Sequence, residues 1–298
     1  MRILMRAAAC GASLVTIACH DVVDSPKQFL DIPVDAAVAA PEPAREIFFT
    51  EAGTGKIWHA TMSYAGAVTS AAPIIMRSTP VAIALDPTSG KMWWTDVTTN
   101  TIERALSTPP YTADPPVLSG LRSPLGIALD PAGGKFYFVE ESARKISRAN
   151  LLDGSAVEPL GSSGLGDPRY IVLDGVGRMY WSDAGADNIS RANTDGSDPR
   201  TLVPGQIGPY GLALDRRNRV LYWADNSLGT IQSATASGGV QPPFITGIPA
   251  VGIALDLARG KIYWAANGAG KIQRSNLDGT NIEDLITGLV SPHGIALR

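Results

Sequence analysis

Pro168-Arg169-Tyr170-Ile171-Val172-Leu173-Asp174, then Met179-Tyr180-Trp181-Ser182-Asp183, then Ile189-Ser190-Arg191-Ala192-Asn193 closed by Asp195-Gly196, form a unit that recurs six times along the chain. Its aromatic pair aligns Phe48-Phe49-Thr50-Glu51, Trp93-Trp94-Thr95-Asp96, Tyr137-Phe138-Val139-Glu140, Tyr180-Trp181-Ser182-Asp183, Tyr222-Trp223-Ala224-Asp225 and Tyr263-Trp264-Ala265-Ala266, at spacings of 45, 44, 43, 42 and 41 residues. Several short apolar strands within a period in the low forties predict one β-propeller blade per unit. Such units bury their faces only against neighbours, so residues 45–298 read as one all-β domain, a six-bladed propeller of four-stranded antiparallel blades.

The first unit opens directly on its aromatic strand and lacks the apolar run that begins the others. The missing run stands at the far end, as Gly294-Ile295-Ala296-Leu297-Arg298. The C-terminal strand is therefore expected to pair beside the first aromatic strand and close the ring, which removes the open sheet edges. Asp-Pro turns containing glycine and the Asp-Gly pairs at 153, 195 and 278 mark the hairpins.

Both cysteines, Cys10 and Cys19, lie ahead of the repeats, so no disulfide framework is expected. Arg2 and Arg6 precede an apolar run over 7–18 that is too short to cross a bilayer, and residues 1–18 read as an export signal of lipoprotein type. Val15-Thr16-Ile17-Ala18-Cys19 resembles a bacterial lipobox, with Cys19 as the lipid attachment point. His20 after it is compatible with sorting to the outer membrane, so the expected location is the bacterial cell envelope. Residues 19–44, with Pro26, Pro33, Pro41 and Pro43, read as a flexible Pro/Ala-rich linker. The formal charge is −3, and loss of the two leader arginines takes it to −5, which argues against nucleic acid as a partner.

The aromatic pairs, the preceding Gly-Ile-Ala-Leu-Asp and the following Ile-x-Arg with Asp-Gly resemble the Tyr-Trp-Thr-Asp propeller of the low-density lipoprotein receptor and its relatives, over residues 46–298. Ala265-Ala266 departs from it by losing the acidic residue. The chain has neither the cysteine-rich modules nor the spanning segment of the receptors, so the resemblance implies an interaction platform and not receptor-mediated uptake.

The acidic slot Glu51, Asp96, Glu140, Asp183 and Asp225 is expected to cap backbone N–H groups of adjacent loops rather than to bind a ligand. Arg104, Arg148, Arg191 and Arg274 share a slot on the third strand, for which inter-blade pairing is expected, and His59 occupies it in the first unit. The turns at Asn193–Gly196 and Asn276–Gly279 lack the ligands of a calcium loop.

The residues just before each inner run, Val81, Leu125, Arg169, Tyr210, Val251 and His293, are expected around the mouth of the central channel, and Tyr170 replaces the small residue found at the next position elsewhere. This uneven rim makes Arg169, Tyr170, Tyr210 and His293 the candidate binding residues, with a protein or peptide as partner and a monomer as the working unit; plugging of the mouth is the plainer role for the same side chains. The alternative is a calcium-dependent lactonase-like hydrolase at the channel mouth. It would need Glu141, Asp187, Asn188, Asn226 and Asn267 to converge, since no rim residue carries a carboxylate or carboxamide. A third reading is a structural spacer. No cofactor is expected for the platform, and calcium belongs only to the hydrolase alternative.

Overall fold

The structure is a computed structural model and describes residues 45–63, 65–161 and 164–298. The leader over 1–18, Cys19 and the linker over 19–44 lie outside the described residues.

Six antiparallel sheets follow one another along the chain, five of four strands and one of three. The inner strands are Pro80–Asp86, Pro124–Asp130, Pro168–Leu173, Pro209–Asp215, Ala250–Asp256 and Pro292–Leu297. The last of these pairs with Arg45–Glu51, so the first blade takes its innermost strand from the C-terminus and the ring closes as the sequence predicts. Five inner strands begin with proline, which lacks the N–H that a ladder position would need and is tolerated at a strand's first residue.

The blades pack face to face through the aromatic pairs. Trp94, Trp223, Trp264, Tyr180, Tyr263, Phe48 and Phe49 are fully buried, and truncating one such ring to alanine costs about 3–5 kcal/mol. Inner strands meet backbone to backbone near the axis. A Cβ at Gly211 would stand 2.0 Å from the Val251 carbonyl oxygen, and one at Gly252 would stand 2.2 Å from that of His293. Only glycine allows that approach.

The second blade has three regular strands, Pro80–Asp86, Lys91–Asp96 and Thr101–Leu106. In place of a fourth, the segment 107–121 runs irregularly along the edge and touches it at two bridges, Ile102 with Leu118 and Ala105 with Ala113. Pro109, Pro110, Pro115 and Pro116 supply the reason, since none can donate to a ladder. The edge is nonetheless covered: Ile102 and Leu118 exchange N–H···O bonds at 3.0 and 3.2 Å, and Asp114 donates to the Arg104 carbonyl at 2.9 Å.

Candidate functional site

Each inner strand carries a one-residue bulge where it starts. Pro168 pairs with Asp183 and Ile171 with Trp181, so three steps on one strand match two on the other. The same shift occurs in the other five blades. The bulge leaves an extra N–H to satisfy and turns the rim residues toward the axis. In three blades a hydroxyl from the third slot of the aromatic motif meets it. Tyr170 donates its N–H to Ser182 Oγ at 3.0 Å, Ala82 to Thr95 Oγ1 at 3.1 Å, and Gly294 to Thr50 Oγ1 at 2.7 Å. The same hydroxyls donate onward to the rim carbonyls of the next blade, Tyr210, Leu125 and Val81, at 2.5, 2.7 and 2.6 Å.

The acidic slot caps loops, as expected from sequence. Asp183 accepts from the backbone N–H of Gly166, Asp167 and Ala186 at 2.7–2.9 Å, and Asp96 from those of Ser78, Thr79, Thr98 and Thr99 at 3.0–3.1 Å. Each therefore fastens the loop that arrives from the preceding blade.

On this scaffold the four candidate residues come together. His293 belongs to blade 1 and Tyr170 to blade 4, which stand opposite each other in a ring of six, so the bond from the Tyr170 hydroxyl to His293 Nδ1 at 3.2 Å crosses the channel. The Tyr210 hydroxyl meets His293 Nε2 at 3.1 Å. The rings touch, Tyr170 with Tyr210 at 5.6 Å and Tyr210 with His293 at 5.2 Å between centroids. Val81, Leu125 and Val251 at the other rim positions are buried. The polar half of the rim thus closes the channel at this level, and it can do so because Tyr170 stands where the other blades have Gly or Ala.

The Arg169 guanidinium lies 5.3 Å from the Tyr210 ring centroid, pairs with Glu141 Oε1 at 2.8 Å and contacts Asp167. Ser123 Oγ donates to Glu141 Oε2 at 2.7 Å and holds that carboxylate in place. Arg169 Nε and Asp167 Oδ1 are both buried without a hydrogen-bond partner. Burial, reinforced by the positive charge of Arg169, pulls His293 down to about 4, so the ring is neutral at neutral pH. Burial and the neighbouring Tyr210 hold the Tyr170 phenol well above its ordinary value, and burial raises Tyr210 as well. A neutral imidazole has one N–H and one lone pair. One phenol therefore donates to the ring while the other accepts from it, and the accepting phenol keeps a proton to give elsewhere.

Asp167 is the charged neighbour that the repeat reading passed over. The signal was present: the residue before the inner strand is Thr79, Ser123, Gly208, Pro249 or Ser291 in the other units, and acidic only here. Three of the five hydrolase candidates have separate partners. Glu141 is held by Arg169 and Ser123, the Asn188 carboxamide bonds Ala186 and Ser190 within its own blade, and Asn267 bonds Ser291 and Pro292. Among the described residues no group of three or more His, Cys, Asp or Glu side chains could hold a metal ion.

His59 is a variant of the arginine slot, bonding Glu46 at 3.1 Å and the Tyr111 hydroxyl of the next blade at 3.0 Å. Arg104 and Arg148 reach carbonyls of the next blade, at Leu152 (2.9 Å) and Thr194 (3.0 Å). Arg191 departs from the expectation, since it makes no ion pair or side-chain hydrogen bond among the described residues. Its cross-strand neighbour on the outer strand is Arg200, where Arg148 and Arg274 face Glu158 and Glu283.

Comparison with known proteins places these features. Residues 177–215 match the family described as low-density lipoprotein receptor repeat class B. Nidogen-2 of Mus musculus is 40% identical over 62 residues, covering 20% of this chain and 4% of that protein. The vitellogenin receptor of Drosophila melanogaster is 41% identical over 64 residues, covering 21% of this chain and 3% of that protein. The chain thus matches only a few per cent of the length of these relatives. Among solved structures, the nidogen/laminin complex superposes with a TM-score of 0.77 at 24% identity, covering 85% of this chain and 98% of that one. A catalytically inactive virginiamycin B lyase from Staphylococcus aureus with quinupristin superposes at 0.60 with 19% identity, covering 85% and 88%. The family match falls on one of six units that share its spacing, and the chain folds as a six-bladed β-propeller.

Proposed function

We propose that this propeller is a non-enzymatic platform that binds a protein or peptide at the channel mouth, on the sector formed by Arg169, Tyr170, Tyr210 and His293. The observation that carries this reading is the asymmetry of the rim. Three blades supply an aromatic and charged cluster with unspent hydrogen-bonding capacity, while the remaining rim positions are buried aliphatics. Apolar side chains are exposed in loops at the same end of the blades: Ile207, Leu228 and Val290 are 60%, 49% and 52% exposed. Aromatic and arginine anchors beside exposed apolar residues are the composition of a protein-binding surface. The fold shared with the nidogen/laminin complex supports the same reading. The protein is exported and tethered to the cell envelope by lipid on Cys19, a reading supported by its leader, and it works as a monomer without a metal.

The test compares proteins captured from envelope extracts by the wild-type chain and by Arg169→Ala/Tyr210→Phe, with both melting temperatures recorded. The expected result is a defined partner retained by the wild type and lost from a variant that still folds. Equal capture by both rejects this surface. Replacing Cys19 by alanine should release the protein from the membrane fraction.

A further inference from the structure

The repeat is broken a second time, at the opposite end of the inner strands from the channel mouth. The turn between the inner and aromatic strands reads Asp86-Pro87-Thr88-Ser89-Gly90 in blade 2 and Asp130-Pro131-Ala132-Gly133-Gly134 in blade 3. In blade 5 it reads Asp215-Arg216-Arg217-Asn218-Arg219. The closing position is left-handed throughout, with φ of 66° at Gly90, 64° at Gly134, 99° at Gly177, 62° at Gly260 and 56° at Arg219. Glycine takes that conformation freely and arginine does not. A strained arginine at a slot where four other blades use glycine points to a task for its side chain.

Arg219 lines a cavity of about 240 Å3 between blades 4 and 5, together with Asp174, Val176, Tyr180, Leu214, Arg216 and Ala236. Arg216 is fixed across the junction by its Nε bond to the Leu173 carbonyl at 3.0 Å. The nearby carboxylates are committed to their own turns: Asp174 accepts from the N–H of Val176 and Arg178, and Asp215 from those of Arg217 and Asn218.

Arg191 adds an independent observation. It stands directly opposite Tyr180 in the ladder and so shares its sheet face. Its counterparts Arg148 and Arg274 pair with a carboxylate on the outer strand, at 2.8 and 2.7 Å, whereas Arg191 faces Arg200. Arg200 pairs with Asp198 Oδ1 at 2.8 Å, so among the described residues the guanidinium left without a carboxylate is that of Arg191.

We propose that the groove between blades 4 and 5 binds a small organic anion, its carboxylate or phosphate head held by Arg216 and Arg219 and attracted by the charge of Arg191, and its apolar body against Val176 and Leu214. Guanidinium groups suit both heads, since each oxyanion offers paired acceptors. The site lies on the face away from the channel mouth and stands independently of the platform reading.

The test is calorimetric titration of the full-length chain with phenyl phosphate, benzoate and inorganic phosphate. Arg219→Gly restores the residue of the other blades and is expected to fold at least as stably. Arg200→Glu restores the carboxylate opposite Arg191. Saturable binding of an aryl anion, weakened about tenfold or more in both variants, is the expected result. Absence of saturable binding to the wild type, or unchanged binding in either variant, overturns the proposal. Inorganic phosphate binding as tightly as phenyl phosphate would overturn the apolar half of the site.

Discussion

Blades 1 and 4 face each other across the channel and solve the same problem with different means. Blade 4 is one continuous stretch of chain from Pro168 to Pro204, and its inner strand is tethered covalently to the rest of the sheet. Blade 1 is assembled from both ends, Pro292–Leu297 beside Arg45–Glu51, and no peptide bond joins them. The ladder and the hydroxyl bridge are common to both, through Ser182 in one and Thr50 in the other. Blade 1 adds charged clasps. Arg298 contacts Glu46 and donates to Ser107 Oγ at 2.7 Å in the next blade, while Arg45 forks onto Asp256 of the preceding blade at 2.6 and 2.9 Å. Asp256 is almost wholly buried, so that pair is shielded from solvent and salt more than a surface pair would be. The difference teaches that the repeat specifies a blade, whereas closing the ring draws on residues outside the repeat pattern.

The harshest way to break the comparison is to remove the seam strand. Deleting 291–298 strips blade 1 of its inner strand, exposes the edge of Arg45–Glu51 and removes His293 from the channel. A loss above about 5 kcal/mol, or at least ~10 °C in melting temperature, is expected. Calorimetry checks this, and a truncated protein that melts with the full chain would show that closure does not depend on the strand.

The next largest effect concerns the bond that joins the two blades across the axis. His293 has a folded value of about 4, below its unfolded value near 6.5, so the unfolded chain takes the proton first. Its contribution is therefore complete above pH 6.5 and is lost as pH falls through the window down to 4. The expected loss is about 2 kcal/mol by pH 5. Protonation would also turn both ring nitrogens into donors beside the Arg169 charge. Denaturant melts at pH 7 and pH 5 measure it, and His293→Gln should flatten that part of the difference. An equal acid loss in the variant would assign it to carboxylates such as Glu46 and Asp114, which their cationic partners hold below the usual range despite burial.

Much of this was legible in the sequence because the repeat is a physical pattern. Aromatic pairs such as Tyr180-Trp181 must fill the space between sheets, and an acidic residue such as Asp183 must meet the free N–H groups of a loop. The closure strand was legible because a run present in five units and absent from the first has only one place to go. What stayed hidden depends on distances between units. The four mouth residues could be named from their slots, but a bond from Tyr170 to His293 requires knowing that their blades are opposite and the channel narrow. The third slot, Thr50, Thr95 and Ser182 against Val139, Ala224 and Ala265, was visible as letters, yet its meaning follows only from a bulge whose N–H needs an acceptor. Arg191 looked like its counterparts because its slot was read without the strand that faces it. The prolines over 109–116 were the readable warning that blade 2 would lack its fourth strand.

The finest way to sharpen the comparison is to remove the shared hydroxyl from each blade. Thr50→Ala and Ser182→Ala both orphan a bulge N–H and a neighbouring carbonyl, at a cost of about 1–2 kcal/mol each. Thr50→Ser keeps the hydroxyl and should cost less than half of that, while Ala224→Ser supplies a hydroxyl to a blade without one and should stabilise by up to ~1 kcal/mol. Equal costs at Thr50 and Ser182 in chemical denaturation would mean that the hydroxyl is a local device and the clasps of Arg45 and Arg298 carry the closure. A clearly greater cost at Thr50 would mean that the seam, lacking a covalent tether, leans on every bond that crosses it. The same pair of variants separates the two cases kinetically, because a contact that holds the seam shut until the ring opens slows unfolding, and its loss should appear in the unfolding rate before it appears in folding.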